Sequence, residues 1–428
     1  MSAKNAENEE VFDMADMQGL YDARLKRVAD AVQLKEPDRV PIVPVFQCFP
    51  VYFMNKWTIK DIMQDYTRGA EVYDYLYDHF QPDLGWDPIL FFPENYMDRA
   101  GLTWFRWPSR DYPDKPNIMY QYIEGEYMKG DEYAEAIHDI TKFMMNKWLP
   151  RSFTNLSGLA KVDFRNTMWF GHMGAFAAFS DPEVIEAFKT LSEAGQMLMD
   201  WFTYLGNYQA HMKEKYGIPP IYAGFAYAPF DMIGDSMRGT VDILTDMYDH
   251  PDELLKLIDV MTEFAIKDAI AGNLGKAVPY VWIWLHKGVD DFMSDEQFTK
   301  FYWPSLRKYI TALTEAGLVP VVYVEGKYHT RLEHLLDVPK GKVIYNFEYI
   351  DMAQAKKVLG GHSCIMGNVP YFTLAYGTPE ETTECVKKLI DICAPGGGYI
   401  VDTATMVDDA KPENIEAMFE AVYKYGVR

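Results

Sequence analysis

The chain has 428 residues, 49% of them hydrophobic, enough for one large domain or about two to three small ones. A formal net charge of −22 excludes nucleic acid, whose phosphates need a basic face, and an anionic membrane surface. No apolar run reaches the ~18 residues of a transmembrane helix, the start carries no apolar signal core, and the 4 cysteines are too few and too scattered for a disulfide framework; the expectation is a cytoplasmic protein.

Residues 1–20 are acidic and read as a lead segment before one domain over 21–428. Tyr21–Val32 has the spacing of an amphipathic helix. The turn Lys35–Pro41 feeds a strand expected over Ile42–Gln47, and a second is expected within Leu84–Phe92. From Gly101 to Arg165 the pattern breaks: Trp104–Trp107 and Met119–Ile123 predict a hairpin, followed by helical sequence around Asp131–Lys147. This stretch reads as an insertion over the mouth of a barrel. A long helix is expected over Asp181–Tyr208, then strands at Pro220–Tyr227, Val278–His286, 319–325, 342–348, 363–368 and 398–402. Helical runs such as Ser305–Ala316, Pro379–Cys393 and the one opening at Pro412 lie between or after them. Eight strands alternating with helices predict a (β/α)8 TIM barrel.

In such a barrel the residues just past each strand face one mouth, so Glu325, Glu348 and Asn368 are expected to share a cavity. Glu325, ending an apolar strand beside Gly326, is a candidate metal ligand or acid/base. His286 closes Trp-Ile-Trp-Leu-His and is a candidate ligand or catalytic group, with a buried structural histidine as the competing reading. His329, four residues past Glu325, shares its face if a helix starts there. Asp402 ends the eighth strand. His362 and Cys364 begin a strand and read as structural; His172 sits in an apolar loop and reads as core. Phe46, Trp86, Tyr227 and Trp284 crowd the strand ends. Most serve packing, and any excess at the mouth suits an aromatic or methylated substrate. No Gly-x-Gly-x-x-Gly or phosphate loop supports a nucleotide.

Several segments in order resemble the uroporphyrinogen decarboxylase superfamily. They are Glu36-Pro-Asp-Arg-Val-Pro41, Met293-Ser-Asp-Glu-Gln-Phe298 with Trp303-Pro-Ser, Met366-Gly-Asn-Val-Pro370 with Gly377-Thr-Pro-Glu, Gly397-Gly-Tyr-Ile-Val401, and Lys411-Pro-Glu-Asn-Ile415. The resemblance implies the same barrel and two chemistries. The decarboxylase branch uses an Arg-Gln-Ala-Gly-Arg loop after the first strand. Here the stretch Phe46–Phe53 has no arginine, so a polyanionic substrate would go unneutralised. Asp87 falls where that branch keeps its catalytic aspartate. The corrinoid-linked methyltransferase branch binds zinc through His-x-Cys and a later Cys. Those positions read Tyr323-Val-Glu325 and Asp402–Met406, leaving Glu325, Asp402 and an imidazole of His286 or His329 as the zinc ligands expected.

The sequence therefore predicts a metal-assisted methyltransferase that demethylates a methoxy or methylamine donor. The methyl passes to a corrinoid (cobalamin) carried by a partner protein; a homodimer is also expected. The expected catalytic residues are Glu325, Asp87 and His286, the substrate-binding ones Phe46, Trp86, Tyr227, Trp284 and Asn368, and the metal ligands Glu325, His286, His329 and Asp402. The alternatives are a metal-free decarboxylase or lyase using Asp87, and a non-catalytic corrinoid or tetrapyrrole binder.

Overall fold

The computed structural model describes residues 14–164 and 167–427; the first thirteen residues of the acidic lead, and Arg165 at the end of the expected insertion, lie outside them. Six parallel strands run in sequence order: β3 (Gly224–Tyr227), β4 (Tyr280–Leu285), β5 (Val319–Lys327), β6 (Ile344–Tyr349), β7 (Cys364–Met366) and β8 (Tyr399–Ile400). All six side chains of β4 are buried, as expected of a strand covered on both faces.

The first two expected strands are present only as bridged segments. Ile42 and Phe46 bridge in parallel to Val401 and Val407, Asp83 N–H donates to Ile42 O at 2.9 Å, and Gly85 N–H donates to Pro219 O at 2.9 Å. These bonds carry the six-stranded sheet round to itself as a (β/α)8 barrel. Prolines explain why neither segment forms a full ladder: Pro41, Pro44, Pro82 and Pro88 have no N–H to give.

Helices wrap the outside, among them Trp303–Glu315, Pro379–Cys393 and Pro412–Tyr425, close to the bounds their apolar spacing predicts. At the barrel's lower end Asp83, fully buried, accepts from Ile42 N–H and from the guanidinium groups of Arg27 and Arg39 at 2.6–2.9 Å.

The inserted stretch forms the antiparallel pair β1 (Phe105–Arg106) and β2 (Gln121–Tyr122) followed by short helices. It docks on the turn of helix Gly234–Arg238: Tyr122 hydroxyl donates to Asp235 O, Trp148 Nε1–H to Ser236 O at 2.6 Å, and Arg238 to Met128 O at 2.6 Å. The 30-residue helix Pro182–His211 follows.

Candidate active site at the barrel mouth

Strand register decides which side chains meet. Trp284, Tyr323, Asn346, Met366 and Ile400 stand opposite one another across β4 to β8. Side chains alternate with period two, so the next inward level holds His286, Glu325, Glu348, Asn368 and Asp402. That is the C-terminal face, where barrel enzymes build their sites.

At Glu325 the β5–β6 register slips between Val324 and Lys327. Gly326 takes φ +76°, a left-handed conformation that favours glycine, and its N–H donates to Glu348 Oε2 at 2.6 Å. The bulge re-aims Glu325 towards the mouth, where its side chain is 40% exposed and stands 3.9 Å from His286 Nε2. Burial is the main cause that pushes the Glu325 carboxyl up to about 7. The His286 charge opposes it, while Glu348, Asp231 and Asp235 reinforce it.

His286 is gripped from below. Its Nδ1 lies 2.5 Å from Asp235 Oδ2, and its backbone N–H donates to Asp231 Oδ2 at 2.9 Å. Burial alone would lower the imidazole's value. The Asp235 bond and the charges of Asp231, Asp235 and Glu325 outweigh it and raise the value to about 9. At neutral pH His286 is therefore a cation with Nε2–H facing Glu325. Asp235 is held below the usual carboxylate range, burial being overcome by His286 and by Lys287, whose Nζ sits 2.7 Å from Asp235 Oδ1. Asp231 is fully buried and accepts from Lys287 N–H and from the Tyr302 hydroxyl at 2.6 Å; burial, then the Asp235 charge, raises its value.

Sequence reasoning missed Asp231, Asp235 and Lys287. The Pro-Phe-Asp-Met-Ile-Gly-Asp run after β3 has carboxylates four apart on one helical face, a signal available in principle. Nothing local says that the next strand's histidine sits against them.

The aromatic residues wall this level. Tyr227 is half exposed with its ring edge-on to His286 at 6.0 Å, and Trp284 packs on Tyr323 at 4.6 Å and on Phe225 at 6.5 Å. Trp86 stacks on Phe225 at 6.1 Å but is itself buried, as is Phe46, which packs on Phe49 at 5.0 Å.

Other expected residues are occupied elsewhere. Asp402 is fully buried and accepts from Asn346 Nδ2, Val45 N–H and Thr403 Oγ1 at 2.5–3.2 Å; burial lifts its value to about 7. The Asn368 amide donates to the carbonyls of Glu348 and Ile350, bracing the β6 end. No helix begins at His329; it is exposed in a turn, so the shared face with Glu325 does not exist. His172 is likewise exposed on helix Gly171–Ala177 rather than in a core loop. Asp87, fully buried, accepts from the Tyr222 hydroxyl at 2.7 Å, Gln209 at 2.8 Å and Ile89 N–H at 3.2 Å, and burial raises it to about 6 despite these donors.

The four expected zinc ligands are therefore not gathered. Among the described residues no three His, Cys, Asp or Glu side chains are grouped to hold a metal ion. His286 and Glu325 offer two donors, Asp402 spends its oxygens on protein donors, and His329 points to solvent. The set does not fit zinc, which takes three or four protein ligands.

The family model of uroporphyrinogen decarboxylase (URO-D) matches residues 179–425. The chain belongs to that family. Relatives include the uroporphyrinogen decarboxylase of Neisseria meningitidis serogroup C, 23% identical over 210 residues that make up 47% of this chain and 58% of that protein. That of Danio rerio is 25% identical over 215 residues, 47% of this chain and 56% of the relative. The matched stretch thus spans little more than half the length of these curated relatives. Among solved structures, a methyltransferase from Methanosarcina mazei superposes with a TM-score of 0.57 at 15% identity, covering 94% of this chain and 98% of that one, which shows a shared fold.

Proposed function

We propose that the chain is an enzyme that removes a methyl group from a small methoxy or methylamine donor and passes it to the corrinoid cobalt of a partner protein. The observation that carries this reading is the pair His286–Glu325: a held cation and a carboxyl poised near 7, 3.9 Å apart and walled by aromatic rings. A methyl ether is a poor donor because its oxygen leaves as an anion. The protonated Glu325 carboxyl supplies a proton to that oxygen, and His286 Nε2–H stabilises charge left on it, while the carbon–oxygen bond breaks and the methyl passes to the nucleophile. A value near the working pH suits a general acid. With an amine donor the same proton goes to the departing nitrogen.

The polycarboxylate alternative has little to hold its substrate. The first-segment stretch that would need arginines is a wall of buried Phe46, Cys48 and Phe49. The cations of the upper level, His286 and Lys287, are both paired with Asp235.

The test supplies purified protein with cobalt(I) cobalamin and either 1,2-dimethoxybenzene or trimethylamine, and follows the demethylated product by chromatography. Product is expected from one donor class, with kcat/KM falling as pH rises through 7 and again through 9. Glu325→Gln is expected to lose roughly 10²–10⁴-fold, while Asp87→Asn stays within about tenfold. No product from either donor overturns the reading; loss in Asp87→Asn with Glu325→Gln active transfers the chemistry to the decarboxylase alternative.

A further inference from the structure

Three consecutive backbone carbonyls beside the His286–Glu325 pair are held by a part of the chain that lies outside the barrel. The wide helical turn Gly234–Arg238 ends the helical segment after β3, and the last carbonyls of a helix have no partner within it. The insertion supplies the partners. The Tyr122 hydroxyl donates to Asp235 O, Trp148 Nε1–H donates to Ser236 O at 2.6 Å, and the N–H groups of Tyr127 and Met128 both donate to Met237 O at 2.8 Å. Two further bonds frame the turn. Arg238 donates to Glu126 Oε1 at 2.6 Å, and Thr240 N–H donates to Glu124 Oε1.

Side chains of the same turn reach the mouth. Asp235 lies 2.5 Å from His286 Nδ1 and 2.7 Å from Lys287 Nζ, which also donates to Thr240 Oγ1 at 3.0 Å. Lys287 runs so close along the turn that a Cβ on Gly234 would lie 2.6 Å from its Cε. Asp231 is anchored differently: it accepts from the N–H groups of His286 and Lys287 and from the Tyr302 hydroxyl.

We infer that Tyr122 and Trp148 are positioning residues for His286: by fixing the carbonyls of the turn they fix where the Asp235 carboxylate stands, and so how firmly the imidazolium is held. The inference rests on His286 being a reacting group in the demethylation proposed above. The groups facing the imidazole are Asp235 and Asp231 from the segment after β3, Tyr227 from β3, Lys287 beside it, and Glu325 of β5 with Glu348 next to its bulge. A short charge-assisted bond weakens steeply as it lengthens. Burial opposes the charged imidazole, so an Asp235 that drifts from its place shifts the balance towards the neutral ring. Tyr122 and Trp148 are uncharged, so phenylalanine in their place removes a donor to the turn and leaves the net charge as it was.

The full chain with isotope-labelled histidine, free of donor and of cobalamin, tests this by NMR titration. The His286 resonance is identified by its loss in His286→Gln. In Tyr122→Phe with Trp148→Phe its midpoint is expected to fall by about one pH unit, a tenfold loss of proton affinity, with far-UV circular dichroism unchanged. Tyr122→Phe alone is the second variant, should the double one fail to fold, and is expected to move the midpoint the same way by about 0.5 pH unit. An unmoved midpoint in a folded variant overturns the inference, whatever the turnover. A lowered midpoint supports it even where wild type demethylates neither donor, an outcome that removes the proposed function alone.

Discussion

The two ends of the barrel bury carboxylates in opposite ways. At the bottom, Asp83 has Arg27 and Arg39 on its oxygens and a backbone N–H besides, so one buried negative charge meets two cations. At the mouth, Asp231, Asp235 and Glu325 gather round His286 and Lys287, and Glu348 takes the Gly326 N–H. At the bottom carboxylates and cations are matched, since Arg27 also pairs with Asp38 at 2.7 Å. The mouth has more carboxylates than cations: burial raises the Glu325 value, and the carboxylates raise that of His286 against burial. Charges matched at close range hold a fold together; charges left unbalanced in a half-dry place are available for proton transfer.

The largest effect expected from breaking this contrast is at the bottom. Asp83→Ala takes from Arg39 its carboxylate partner, and removes one of Arg27's, at the barrel's lower end; it is expected to cost about 3–5 kcal/mol. Urea unfolding measures it, and a loss under 1 kcal/mol would mean the network is not what closes that end.

At the mouth Asp235→Asn keeps the shape and removes the charge that holds His286. The imidazole value is expected to fall from about 9 towards its ordinary value, so the alkaline limb of the rate profile moves to lower pH. Turnover is expected to drop roughly 10–100-fold. The sign follows from the raised value: His286 is a cation below it and loses that charge as pH rises through it. An unmoved alkaline limb would separate His286 from the reaction.

The smallest effect is expected from Asp402→Asn. The folded value of Asp402 is raised by burial from 3.8 to about 7, so its contribution to stability is present below the unfolded value and lost as pH rises through 7. Asparagine does not titrate, and its amide can donate to Asn346 Oδ1, which is buried without a partner. The variant is expected within about 1 kcal/mol of wild type at pH 5, with the difference moving in its favour by pH 8 in thermal melts. A variant that unfolds at pH 8 would show that the Asp402 charge is needed.

Much of this was legible in the residues. Apolar β-branched runs ending in Glu325, Glu348 and Asn368 marked three neighbouring strand ends, and helix bounds such as Pro379–Cys393 follow from a capping Thr378 and an apolar stripe. His286 and Glu325 could be named because they sit at strand ends, His286 directly past β4 and Glu325 in the last residues of β5, where position along the chain is position in the barrel. The ligand set could not. Whether Asp402 reaches the mouth depends on Asn346 and Val45, 56 and 357 residues away in sequence, which take its oxygens inward. His329 needed a helix, and the structure has a turn there after β5 runs on to Lys327. Asp235 enters the site only because the next strand lies against its helix. Strand order, alternation and end residues are local properties and survive in sequence; which of two buried carboxylates finds a cation is decided by packing between distant segments, and only the folded chain contains that answer.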